Sequence, residues 1–221
     1  MSISHKYSIA DYKKIIDIIC EKHNKYNLEW LGTQKDNTFN FKKKQVRHVT
    51  SNDPKNMDDF IDADFLDYME SYQMGLYDLY ADVVMELSSS NGIPITGRVK
   101  NDDSIVSKLH RKRFDEKGSF SINKYLNDLL GFRLVDQDFV PNFHKLTDYI
   151  NLKNEGENRI RASERQIKDY KAFHIYFMGV HNTCFPLELQ VWDAQYERSN
   201  LDSHKVYKKD YTHWPTKYRD V

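Results

Sequence analysis

Arg98 and Lys100 are separated by one residue, so on a strand both leave the same face while Val99 points the other way. Ser104 and Lys108 lie one helical turn apart, with Arg111 and Lys112 at helical spacing beyond them, and Asp102, Asp103 and Ser104 form a natural helix start. Cations on a strand that runs straight into a helix N-terminus suit a polyanion, because the free N–H groups and dipole of that terminus already favour phosphate. The same spacing also describes a plain solvated basic face. Further along, Leu187, Leu189 and Val191 take one face of an alternating strand, and Glu188, Gln190 and Trp192 the other. A carboxylate and an amide there are ordinary if the face meets water, and become a site if it looks at Arg98 and Lys100. Asp128 stands just before another alternating stretch that carries Arg133. A second basic cluster, Lys42, Lys43, Lys44, Arg47, His48 and Lys55, follows Phe39 and Phe41 and is a candidate nucleic-acid contact.

These residues need a frame. Ser8 with Asp11 reads as a capping box, and Tyr12, Ile15, Ile16 and Ile19 keep helical spacing to about His23. Met57 to Ser89 is the longest regular stretch, acidic at its start, apolar at threes and fours, and stopped by Ser88-Ser89-Ser90-Asn91-Gly92. After the basic strand and helix, Phe114 to Ser121 reads as a loop, Ile122 to Leu130 as a short helix, Gly131 to Val135 as a strand and Phe139 to Lys153 as a helix. Asn154 to Lys168 is polar and reads as a mobile loop. Two strands follow, Phe173 to Val180 and Pro186 to Trp192, then a helix from Tyr196 that contains His204, Tyr207 and Lys208. The order predicts an α+β fold, a mixed β-sheet with flanking helices and an N-terminal helical extension.

The chain has 221 residues, with 33 Lys and Arg against 33 Asp and Glu, so no net field draws it to nucleic acid or membrane and any polyanion site must be local. Cys20 and Cys184 form neither a metal pattern nor a disulfide framework, which fits a reducing compartment and two structural thiols. Neither a signal-like leader nor an apolar run of spanning length is present, so a soluble cytoplasmic protein with no membrane partner is expected.

Four separated pieces together resemble the synthetase (pyrophosphokinase) domain of the RelA/SpoT family in its small single-domain form. They are Arg98-Val99-Lys100 with Ser104-Ile105 and Lys108; Asp128-Leu129-Leu130-Gly131-Phe132-Arg133; Tyr170-Lys171-Ala172-Phe173-His174; and Glu188-Leu189-Gln190 followed by His204 and Tyr207-Lys208. The resemblance implies a nucleotidyltransferase-like synthetase fold over residues 93–208, preceded by a helical region 1–92 and followed by a tail 209–221. It implies transfer of the β,γ-pyrophosphate of ATP to a ribose 3′-hydroxyl with release of AMP. Arg98 and Arg133 would sandwich the adenine, Lys100, Ser104, Lys108 and Arg111 would hold the phosphates, and Asp128 and Glu188 would bind Mg²⁺. Glu188 would also orient or deprotonate the attacking hydroxyl, and Tyr170 would stack on the acceptor base with His174 and Gln190 nearby.

The acceptor half departs from the family pattern, which usually reads Lys-x-Asn-Gly-Tyr-Arg-Ser-x-His. Gln166, Lys168 and Asp169 occupy the Lys, Asn and Gly places, Lys171 and Ala172 those of Arg and Ser, and Trp192-Asp193 replaces Arg-Thr after the Glu188 strand. Poorer in cations for a free 5′ polyphosphate, it resembles the toxic small synthetases of toxin-antitoxin pairs, some of which modify the 3′ end of tRNA. That implies tRNA as acceptor, its backbone contacted by Lys42, Lys43, Lys44 and Arg47, and an antitoxin protein as partner. The alternatives are GDP or GTP as acceptor, giving a (p)ppGpp alarmone, and an inactive nucleotide-binding module. Small members of the family often form homo-oligomers.

Overall fold

The computed structural model describes residues 6–34, 39–51, 60–137, 139, 142–156 and 158–203. His204, Tyr207, Lys208 and the tail 209–221 lie outside the described residues. Helix α1, Ile9–Thr33, starts at a complete capping box between Ser8 and Asp11. It runs past His23, where the expected helix stopped, because Asn27 and Trp30 are also buried. Trp30 packs edge-on against Tyr68 and Tyr72, at centroid distances of 4.7 and 5.0 Å. Tyr12, Ile15, Ile16 and Ile19 are fully buried along the same face, each worth roughly 1.5–3 kcal/mol.

The long stretch read as one element is two helices, α2 (Ala63–Met74) and α3 (Leu76–Val84), with a π-helical turn at Met85–Ser90. They part at Gly75, where a Cβ would come within 2.5 Å of the Tyr26 ring. The apolar period runs through both helices, so it carries no trace of the break. Strand β1 is Thr96–Val99, and helix α4, Asp102–Asp115, begins one residue before Asp103, capped by the Asn101 side chain on the Ser104 N–H. α4 continues into the expected loop. Helix α5 is one turn, Ile122–Tyr125, shorter than expected because the chain leaves it for strand β2, Leu130–Asp136. Helix α6 is Phe143–Asn154.

The stretch expected as a mobile loop is strand β3, Ile160–Ile167, followed by β4, Tyr170–Phe177, and β5, Leu187–Asp193. Only Ile160 of β3 is buried, so the strand has no apolar alternation to read, and its Arg and Glu side chains are those of a protected sheet edge. The sheet order is β1-β2-β5-β4-β3, with β2 and β5 parallel and every other pair antiparallel. One face carries Phe132, Leu134, Leu187, Leu189, Val191, Phe173, Ile175 and Phe177, all buried in a single apolar cluster with α1 and α3. Tyr12 donates to the buried Asp136 carboxylate and the Tyr7 N–H reaches it at 3.2 Å, tying the start of α1 to the end of β2. Cys20 and Cys184 are buried and form no disulfide. Among the described residues no helix is long and apolar enough to cross a membrane.

Candidate active site

The other face of the sheet is polar, and strand register composes it. Arg98 of β1 lies opposite Gly131 of β2, which lies opposite Glu188 of β5, which lies opposite Tyr176 of β4, which lies opposite Arg161 of β3. The next row is Thr96, Arg133, Gln190, His174 and Ser163. Thus the Glu188 face does look toward Arg98 and Arg133. Two adjoining cavities open on it, of about 170 and 410 Å³, sharing Arg98, Lys100, Asp128, Glu188 and Gln190. The first also has Gly131 and Arg133 in its wall; the second has Lys108, Arg111, Tyr170 and His174. The larger is of the size that holds a small ligand.

Three residues set the charge. Asp128 accepts from Lys100 Nζ at 2.5 Å and from Lys108 Nζ at 2.9 Å. Burial alone would raise its pKa, but Lys108 and Lys100 outweigh burial and hold the carboxyl well below its usual range. Burial lowers the Lys108 ammonium, against the pull of Asp128, and its Nζ also lies 4.9 Å from the centre of the Tyr125 ring. Lys100 is fixed from behind, its N–H bonded to Leu129 and its carbonyl to the Gln73 side chain.

Glu188 anchors a second network. Its Oε1 lies 2.7 Å from His174 Nδ1 and its Oε2 accepts from Gln190 Nε2 at 2.7 Å. Tyr170 Oη lies 2.9 Å from His174 Nε2, and Trp192 Nε1–H donates to Gln190 Oε1 at 3.2 Å. One proton assignment fits these bonds: Tyr170 donates to Nε2 and the Nδ1–H of His174 donates to Glu188, which leaves the Tyr176 hydroxyl, 3.3 Å from Nδ1, to donate to Glu188. Burial and the charge of Glu188 push the Tyr170 phenol up to about 12, so it remains a donor. Burial would raise Glu188 itself, and Asp128 works in the same direction, but the bond from His174 prevails and lowers its pKa. Both carboxylates are therefore ionised, face one cavity and feel each other's charge.

Of the expected residues, ten meet around these cavities: Arg98, Lys100, Lys108, Arg111, Asp128, Arg133, Tyr170, His174, Glu188 and Gln190. Ser104 is in the first turn of α4 and in neither wall. Lys42, Lys43, Lys44 and Arg47 also stand outside the walls, with Lys42, Lys43 and Arg47 exposed. Their segment is bonded to the turn before α5: Val46 N–H to Phe120, Arg47 N–H to Gly118 and Ile122 N–H to Lys44. α5 then presents Lys124 and Tyr125 to the larger cavity, so the basic segment is bonded to an element that forms part of its wall. Sequence reasoning missed Arg165, Tyr176, Lys124 and Tyr125 in the wall. Arg165 and Tyr176 become legible only once the pairing of β3 with β4 is known; Lys124 and Tyr125 had no signal.

Asp128 and Glu188 are the carboxylates on these walls that could hold a divalent cation. Among the described residues no group of three or more His, Cys, Asp or Glu could hold a metal ion. A hard cation needing only one or two carboxylates, with phosphate oxygens and water for the rest, matches Asp128 and Glu188, whose carboxylate oxygens each keep a second lone pair.

No family model and no curated protein matches the chain. Among solved structures it is similar to the small alarmone synthetase 1 from Bacillus subtilis bound to its product pppGpp, with a TM-score of 0.43 and 17% identity, covering 67% of this chain and 81% of that one. It is also similar to the same protein bound to AMPCPP, with a TM-score of 0.35 and 16% identity over 72% of this chain and 94% of that one.

Proposed function

We propose that the chain is an ATP-dependent pyrophosphokinase of RelA/SpoT synthetase type, with the 3′ end of tRNA as its acceptor. One observation carries the reading: Asp128 and Glu188, predicted as the acidic pair, line the same cavities as Arg98 and Lys100. In the proposed reaction the acceptor 3′-oxygen attacks the β-phosphorus of ATP, the bond from that phosphorus to the α-phosphate bridging oxygen breaks, and AMP leaves with the electron pair. Lys100, Lys108, Arg98 and Arg111 hold the triphosphate and offset charge as it moves toward the leaving oxygen. Arg133 and Arg98 take the adenine between their guanidinium planes. Glu188, held ionised by His174 and Gln190, orients the 3′-hydroxyl and accepts its proton. Mg²⁺, held by Asp128 and Glu188, would neutralise charge on the phosphate oxygens.

Tyr170 offers its ring to the acceptor base. The basic segment 42–47 is bonded to the turn that leads into α5 and would supply remote cations for an RNA backbone, which favours tRNA. A second reading, GDP or GTP as acceptor, is favoured by Arg165, which brings to the cavity beside Tyr170 a cation suited to 5′ phosphates. Incubation with ATP labelled in the β,γ-pyrophosphate separates them. Expected is AMP release with label on deacylated tRNA; label on a guanosine polyphosphate with tRNA untouched selects the second reading. Release of inorganic pyrophosphate, with no AMP, rejects both.

A further inference from the structure

The Trp192 indole is fully buried behind the site and touches three of its working groups. The Arg133 guanidinium carbon lies 3.6 Å from the centre of the indole. Arg133 Nε is buried with no hydrogen-bond partner among the described residues, so stacking on that ring is the contact that bears on the plane of the guanidinium. Tyr170 meets the same indole edge-on, with centroids 6.3 Å apart and planes at 90°. The indole N–H donates to the Gln190 carbonyl oxygen at 3.2 Å and also meets the Tyr170 hydroxyl; with that side of the amide filled, its nitrogen is left for Glu188 Oε2 at 2.7 Å. Without that N–H, the amide can turn over and present an oxygen to a carboxylate.

We infer that Trp192 is a positioning residue for both halves of the reaction: its ring face sets the donor-base platform at Arg133, and its N–H, through Gln190, sets the orientation of Glu188. The inference rests on the pyrophosphokinase reading and names a residue that neither the motifs nor the cavity walls include. Chemistry separates the two roles, since Phe keeps an aromatic face and loses the N–H, while Leu loses both.

For Trp192→Phe the donor KM should stay within about twofold while kcat falls about tenfold, the scale of one hydrogen bond to a charged group. Gln190→Leu should lose a similar factor, and the double variant no more than either alone. Trp192→Leu should also weaken binding of a non-hydrolysable ATP analogue by about tenfold in calorimetry. Thermal melting identifies any variant that fails to fold; if the Leu variant does, Trp192→Phe and the double variant still decide. Wild-type kcat in Trp192→Phe, additive losses in the double variant, or unchanged analogue affinity in a folded Trp192→Leu overturns the inference alone. A wild-type protein that binds no ATP analogue, or transfers pyrophosphate to neither tRNA nor GDP or GTP, overturns the pyrophosphokinase reading and the inference with it.

Discussion

Asp128 is where the charge of the site can be changed by one unit with little change of shape. Its two oxygens occupy the ammonium groups of Lys100 and Lys108, at 2.5 and 2.9 Å, and those ammonium groups keep it ionised despite its burial. On the proposed reading, the carboxylate therefore holds, before a nucleotide arrives, the same donors that its phosphates would need. Asp128→Asn removes the charge and keeps an acceptor. A phosphate seated on these ammonium groups would lie roughly 6 Å from the carboxylate carbon, and unit charges at that distance repel by about 0.7–2.8 kcal/mol for an effective dielectric of 80 down to 20. In the presence of EDTA, the variant should therefore bind an ATP analogue about three- to a hundredfold more tightly than wild type. With Mg²⁺ the difference should shrink or reverse, because wild type then gains a ligand for the ion. Turnover should fall by about 10²–10³-fold. Calorimetric titrations with and without Mg²⁺, beside the labelled-transfer assay, read all three. Weaker binding by the variant in EDTA would refute the reasoning, since the carboxylate would then be arranging the cations for phosphate and not competing with it.

Tyr170→Ala should raise the acceptor KM by about five- to a hundredfold, the worth of one stacked base, while Tyr170→Phe keeps the ring and should leave that KM nearly unmoved; equal losses in steady-state kinetics would remove Tyr170 as a platform. Reversing the exposed Lys42 and Lys43 to Glu should depress transfer to tRNA, leave the melting temperature unchanged, and flatten the slope of log rate against log salt by about two; an unaltered slope would detach that segment from the RNA. His23 is fully buried with Nε2 bonded to Phe185 and Nδ1 without a partner among the described residues, and burial pushes its pKa down to about 3. Its folded pKa lies below the unfolded value of about 6.5, so its contribution is intact above that pH and is lost as pH falls from 6.5 toward 3, at about 1.4 kcal/mol per unit. Urea unfolding should show about 1.6 kcal/mol less stability at pH 5 than at 6.5 from this group, a slope missing from His23→Gln; parallel curves for the two proteins would contradict it.

What could be read from the sequence was whatever chemistry lies close along the chain. Arg98 to Lys108 was largely legible because alternation and a helix start are local signals: the helix formed where they pointed, while the strand ends at Val99 and leaves Lys100 in the turn between the two. The two faces of β5 were legible for the same reason. The break at Gly75 was not, because its cause is the Tyr26 ring, nearly fifty positions earlier. β3 was invisible because a strand at the edge of a sheet, open on both sides, need not alternate, and with it went Arg165. His174 was singled out, but its bond to Glu188 comes from the pairing of β4 with β5. Trp192 was read only as a departure from a motif, while its role depends on the parallel register that puts Arg133 beside Gln190.

That register also explains an empty place. In the row from Arg98 through Gly131 to Glu188, the middle position has no side chain, and a Cβ built there meets nothing within 4 Å. Gly131 is not held in the left-handed region, and no neighbour crowds it, so neither backbone strain nor tight packing asks for glycine. What glycine supplies is open volume, in the wall of the smaller cavity, between a cation and the carboxylate that would receive the attacking hydroxyl. A larger residue would fit the sheet and fill the space in which, in the proposed reaction, donor and acceptor would meet. The vacancy fits a site built to admit a ligand better than one built to close a core, because a sheet face sealed for stability would place its bulk there, as the opposite face does with Phe132 and Leu189.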